Sequence, residues 1–112
     1  MSLALFSKDP AGLLRAFKKA IDEGHVATWK YDSDGDFTHN TEQWRNEAWL
    51  RPKVQSDRLA LTILKPKNKN ITREVYAIYH GRFIESMLAH CDSLFDNANA
   101  TAMATVGDIV SA

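Results

Sequence analysis

The nine residues Tyr31–His39, YDSDGDFTH, bring three aspartates, a glycine and a histidine together, the ingredients of an oxygen cage for a hard cation. A calcium loop places acidic ligands at positions one, three and five, glycine at six and a bidentate glutamate at twelve. Counted from Asp32, the aspartates fit, but glycine falls at four, Phe37 takes position six and Gln43 position twelve. The preceding residues are strand-like rather than helical. Asp34-Gly35 is a two-residue hairpin signal, because the favoured primed turn needs positive φ at both central positions. In that register Ser33 faces Asp36, Asp32 faces Phe37, Tyr31 faces Thr38 and Lys30 faces His39. The segment reads as a hairpin tip.

Transition-metal chemistry has no better footing. His25, His39, His80 and His90 lack the close pairings of zinc signatures, and Cys91 has no second thiolate. His39 and Asp36 lie three apart on an extended strand and so point to opposite faces. No metal and no cofactor is expected.

Tyr79-His80-Gly81-Arg82 offers a general acid/base and an anion clamp at what reads as a strand-to-helix junction, beside free backbone N–H groups. The plainer reading has His80 capping the helix, Gly81 permitting the turn and Arg82 pairing Glu85 one turn on. Cys91 falls on an apolar helix face and reads as a small buried hydrophobe rather than a nucleophile. No G-x-S-x-G elbow or glycine-rich phosphate loop occurs.

Basic residues gather at Lys65, Lys67 and Lys69, with Arg51 and Lys53 before them and Arg73 just beyond. Joined by Trp29, Tyr31 or Trp49, they form a surface able to hold single-stranded RNA through phosphate contacts and stacking. The competing reading is a solvated loop. Fourteen basic and fourteen acidic side chains leave no net charge, so any affinity for nucleic acid must reside in a local patch.

These residues need a frame. With 112 residues, 45% of them hydrophobic, the chain suits one globular core. A single cysteine rules out an intrachain disulfide and fits a reducing, cytoplasmic setting, and no apolar run is long enough to span a membrane. In SKDPAGLLRAFKKAIDEGH, Asp9 or Ser7 can cap, Pro10 suits the first helical position, and Leu13, Leu14, Phe17 and Ile21 form one stripe before Gly24 ends the helix. HVATWKY then alternates as a strand. WLRPKV and RLALTILK read as a second hairpin across Gln55-Ser56-Asp57, with Pro52 favouring an edge. TREVYAIY fits strand or helix; Gly81 tips it toward strand. GRFIESMLAHCDSLF is amphipathic and reads as the closing helix.

The expected fold is therefore α+β: helix, a four- to five-stranded antiparallel meander, helix, packed as a two-layer sandwich over residues 1–96. Residues 97–112, small and aperiodic, are expected to form a flexible or partner-docked tail. With both helices on one side, the other sheet face is left open. Three tryptophans in so short a chain ask for burial, so the expected function is binding of a protein partner or a second copy of the chain through that face. Trp29, Tyr31 and Trp49 are the contacts, and Lys67, Lys69 and Arg73 sit at the sheet ends. The alternative is an RNA-binding protein or a small metal-independent ribonuclease, with His80 or His39 as acid/base and Arg82 or Lys67 stabilising phosphate charge.

Overall fold

The structure is a computed structural model describing residues 1–111. It is an α+β sandwich, with two helices on one face of a six-stranded antiparallel sheet of order β2-β3-β4-β5-β1-β6. β1, Leu3–Phe6, opens the chain with Leu3 and Leu5 buried and Ala4 and Phe6 half-buried. Four residues carry too short a period to announce a strand. Its place inside the sheet, between β5 and β6, makes it one.

Helix α1, Pro10–Asp22, starts as its sequence dictates: the Asp9 carboxylate accepts from the Gly12 N–H at 3.1 Å and Pro10 occupies the first turn. Gly24, at φ +80°, leads the chain out. Leu13 and Phe17 are buried against the sheet.

β2, Trp29–Tyr31, and β3, Phe37–His39, form the expected hairpin in a different register: Trp29 faces His39, Lys30 faces Thr38 and Tyr31 faces Phe37. The turn is one residue longer than Asp34-Gly35 alone implies. The Asp32 N–H donates to the Asp36 carbonyl at 3.0 Å and the Gly35 N–H to the Asp32 carbonyl at 2.9 Å, with Gly35 at φ +84°. The Asp32 side chain selects this wider loop by accepting from the N–H groups of Asp34 and Asp36, both at 3.0 Å. A slip of one residue changes which side chains share a face. Trp29, Tyr31, Phe37 and His39 thereby line up together.

β4, Trp49–Val54, and β5, Arg58–Leu64, pair as expected across Gln55-Ser56-Asp57, with Leu50 opposite Ile63 and Lys53 opposite Ala60. β3 reaches β4 only at Phe37 and Leu50. Pro52, whose missing N–H would point away from β5, thus sits where no ladder bond is lost.

The largest departure from expectation is TREVYAIY. Residues Arg73–His90 are one helix, α2, capped by the Thr72 hydroxyl on the Val75 N–H at 3.1 Å. Gly81 lies inside it, its missing side chain costing about 1 kcal/mol in helix propensity. Val75, Tyr79, Phe83 and Met87, spaced by four and all buried, outweigh that by burying one continuous stripe.

The C-terminal segment is also not a tail outside the domain. After a 3-10 turn at Asp92–Leu94, β6, Asn97–Ala100, pairs with β1. The chain then returns so that Ile109 bridges Leu64, its N–H donating to the Ile63 carbonyl at 2.9 Å. No apolar periodicity marks Asn97–Ala100. The open edge of β1 orders it.

The core lies between the sheet and the helices. Phe17, Phe37 and Phe83 meet at centroid distances of 5.1 to 5.5 Å, and Trp29 packs edge-on against Phe83 at 5.1 Å. Cys91 is buried at its margin. No helix among the described residues is long and apolar enough to cross a membrane.

Candidate functional site

The aromatic residues expected on the open sheet face divide. Trp29 is 1% exposed and belongs to the core beneath α2. Tyr31 also faces the helices: its hydroxyl donates to Asp22 of α1 at 2.6 Å, and Lys18 lies 5.1 Å from its ring centroid. The accepting carboxylate stabilises the phenol and raises its pKa. Trp49 alone of these three takes the outer face, opposite Leu64. Lys67 is exposed in the loop before α2, Lys69 pairs with Glu47, and Arg73 is the exposed first residue of α2.

Alternation along the strands places a second, unexpected set on the outer face. Leu3, Leu5, Leu50, Leu59, Leu61 and Ile63 point to the helices, so their neighbours point away. Phe6, Arg51, Lys53 and Arg58 are among these, with Lys30 beyond them on β2. Arg58 lies over the Phe6 ring at 4.5 Å and pairs with Asp57 at 2.9 Å. Arg51 grips Asp36 through Nε at 3.0 Å and Nη2 at 2.8 Å. This fork accounts for one of the three carboxylates that converge at Asp32, Asp34 and Asp36. Ala4, Ala60 and Thr62 form a shallow floor between the long side chains.

A cleft of about 280 Å³ opens on the opposite side, between the end of β3 and α2, lined by Thr28, His39, Thr41, Gln43, Trp44, Arg82 and Glu85. His39 is 4% exposed and packs on Trp29 at 4.7 Å. Its Nδ1, the Thr41 hydroxyl and the Trp29 Nε1 are buried without hydrogen-bond partners among the described residues. Burial pushes the His39 pKa down, and nearby Arg82 adds to this; the Thr28 carbonyl and Glu85 oppose it. Burial thus favours its neutral imidazole, with the ring N–H on the Thr28 carbonyl. Arg82 reaches Glu85 at 3.5 Å, the pairing expected from their spacing.

His80 is not part of that cleft. It lies two positions before Arg82, about 200° around a helix at 3.6 residues per turn, and its 3% exposure marks it as interior. Nδ1 donates to the Tyr76 carbonyl at 2.7 Å, leaving Nε2 to accept from the Ser2 hydroxyl at 2.6 Å. Its ring stacks on Tyr76 at 4.0 Å. Asp108 approaches the same serine hydroxyl at 3.4 Å and accepts from the Ile63 N–H at 3.0 Å. His80 thus joins β1, α2 and the C-terminal segment, a role invisible while residues 72–79 read as a strand.

Burial lowers the pKa of both His39 and His80, and the sign of the consequence follows. Each histidine binds its proton more readily in the unfolded chain. The stability it contributes is present above the unfolded value of about 6.5 and is lost as pH falls through the lower folded values. The thermal midpoint should therefore fall between pH 7 and pH 5, and His39→Gln should flatten that fall. A midpoint indifferent to pH over this interval contradicts the burial account.

No protein-family model matches this chain, and comparison with curated proteins and with solved structures likewise gave no match.

Proposed function

We propose that the protein is a binding module that holds single-stranded RNA on the outer face of its sheet. The observation that carries this reading is the joint presence of Lys30, Arg51, Lys53 and Arg58 beside the rings of Phe6 and Trp49 on the face that α1 and α2 leave open. Cations follow a phosphate backbone while rings stack on bases, a combination tolerant of sequence. Asp36 and Asp57 pair with Arg51 and Arg58, which leaves Lys30 and Lys53 as the cations on that face without carboxylate partners among the described residues. A second copy of the chain fits less well there, because the cores of protein–protein interfaces are depleted of lysine and this face carries Lys30 and Lys53. The lone buried cysteine agrees with a reducing, cytoplasmic setting.

This reading is binding without strand cleavage. His39 lies on the helix side of the sheet and His80 on a different side of α2, so neither meets a strand laid across the outer face. A fluorescent oligouridine should bind with affinity that falls as salt rises, at a logarithmic slope of about −2 to −3 for three or four phosphate contacts. Lys53→Glu, at an exposed position, should weaken binding at least several-fold with the fold intact. Absence of binding at low salt overturns the proposal, and so does equal competition by polyglutamate, which would assign the face to acidic protein instead.

A further inference from the structure

The cleft between β3 and α2 carries an inference independent of the RNA reading, since it opens on the opposite side of the sheet. We propose that it is a binding site for a small ligand bearing a carboxylate or phosphate group and a hydroxyl or N–H donor, with the anion on Arg82 and the Thr41 hydroxyl and the donor on the lone pair of His39 Nδ1. Three observations converge. His39 is 96% shielded, from an exposure of 4%, yet its Nδ1 has no partner among the described residues, and neither does the neighbouring Thr41 hydroxyl. Buried polar groups left unpaired cost stability, and a cost concentrated at one cleft marks a place where a ligand can complete the bonding. A volume of about 280 Å³ lies at the small end of ligand sites, which suits a metabolite rather than a macromolecule.

The charge arrangement selects the ligand's sign. Arg82 is the cation lining the cleft, and its partner Glu85 holds it only through an exposed contact at 3.5 Å. Such pairs are weak and can be exchanged for an incoming anion. Thr28, Thr41 and Gln43 add hydroxyl and amide donors, the groups that bind oxygens of a carboxylate or phosphate. Glu85 then acts as a competitor that a ligand must displace.

Titrating the protein with inorganic phosphate and, separately, acetate at constant ionic strength tests this through the ring ¹H–¹⁵N signals of His39, with those of His80 as internal control. The His39 signals should move to saturation with phosphate, whose P–OH can donate to Nδ1, and less with acetate, which has no donor, while His80 stays still. Arg82→Gln should abolish the movement. Glu85→Gln should tighten binding by about two- to fivefold, the worth of one exposed ion pair. Both substitutions are at exposed positions, and circular dichroism confirms that the fold is retained. Signals that stay put or drift linearly overturn the proposal. So does the same response in Arg82→Gln, or weaker binding in Glu85→Gln, which would mean that Glu85 itself holds the ligand. Because the RNA assay reads the other face, either site can fail alone.

Discussion

Trp29→Ala is expected to destabilise the protein by about 3–5 kcal/mol, the range for emptying a large aromatic site in a core. Trp49→Ala should cost about 1 kcal/mol or less, as expected away from core features. The two indoles look alike in the sequence, each set in a short β-prone run. Their positions differ. Trp29 meets Tyr79, Phe83 and His39 at centroid distances of 5.6, 5.1 and 4.7 Å, so its removal leaves a void bounded by three rings. Trp49 is half-buried on the outer face, where neighbouring side chains and water can close over a truncation. Urea denaturation of both variants measures the difference. With total stabilities of about 5–15 kcal/mol for domains in general, the Trp29 variant should lose a large part of its unfolding free energy. Comparable losses in the two variants would contradict the register that turns Trp29 inward.

Deleting residues 97–112 should abolish cooperative folding or drive association, although their composition suggests a dispensable tail. β6 pairs with β1 from Leu3 opposite Ala100 to Phe6 opposite Asn97. Without it, β1 becomes an exposed sheet edge, a template for pairing with other chains. The deletion also removes Asp108 from the Ile63 N–H, Ile109 from its bridge to Leu64, and the Val106 carbonyl from the N-terminal ammonium at 2.7 Å. Size-exclusion chromatography and a urea midpoint for the shortened chain decide the matter. A monomer with an unchanged midpoint would show that the segment contributes nothing to the sheet.

Much of the architecture was legible where a local rule and the tertiary environment agreed. Asp9, Pro10 and Gly24 delimit α1 because caps and turn residues act within a few positions. The β4–β5 hairpin follows from alternation. The α+β class follows from two amphipathic helices that need a common apolar cover. Arg82 with Glu85 was readable too, because their separation along a helix sets their contact.

The remaining features depended on distant partners. Residues 73–80 satisfy strand and helix propensities about equally, and only the fit of Val75 and Tyr79 against the sheet selects the helix. That choice carries His80 to Ser2 and turns Arg82 toward His39, so the cleft cannot be read before it is made. Asn97–Ala100 has no strand signal at all; the vacant edge of β1 recruits it. Asp34-Gly35 marks the hairpin, but its register is set by the Asp32 carboxylate accepting two backbone N–H groups, and that single step sends Trp29 and Tyr31 inward.

By itself, then, the order of residues determined which segments bury a stripe or a face and where tight turns interrupt them, because those properties are written in spacing of two to four positions. Tertiary packing alone decided which face each aromatic takes, that the C-terminal segment completes the sheet, and that His39 and Arg82 share a cleft. These depend on contacts between positions tens of residues apart, whose free energies exist only once the layers have closed on each other.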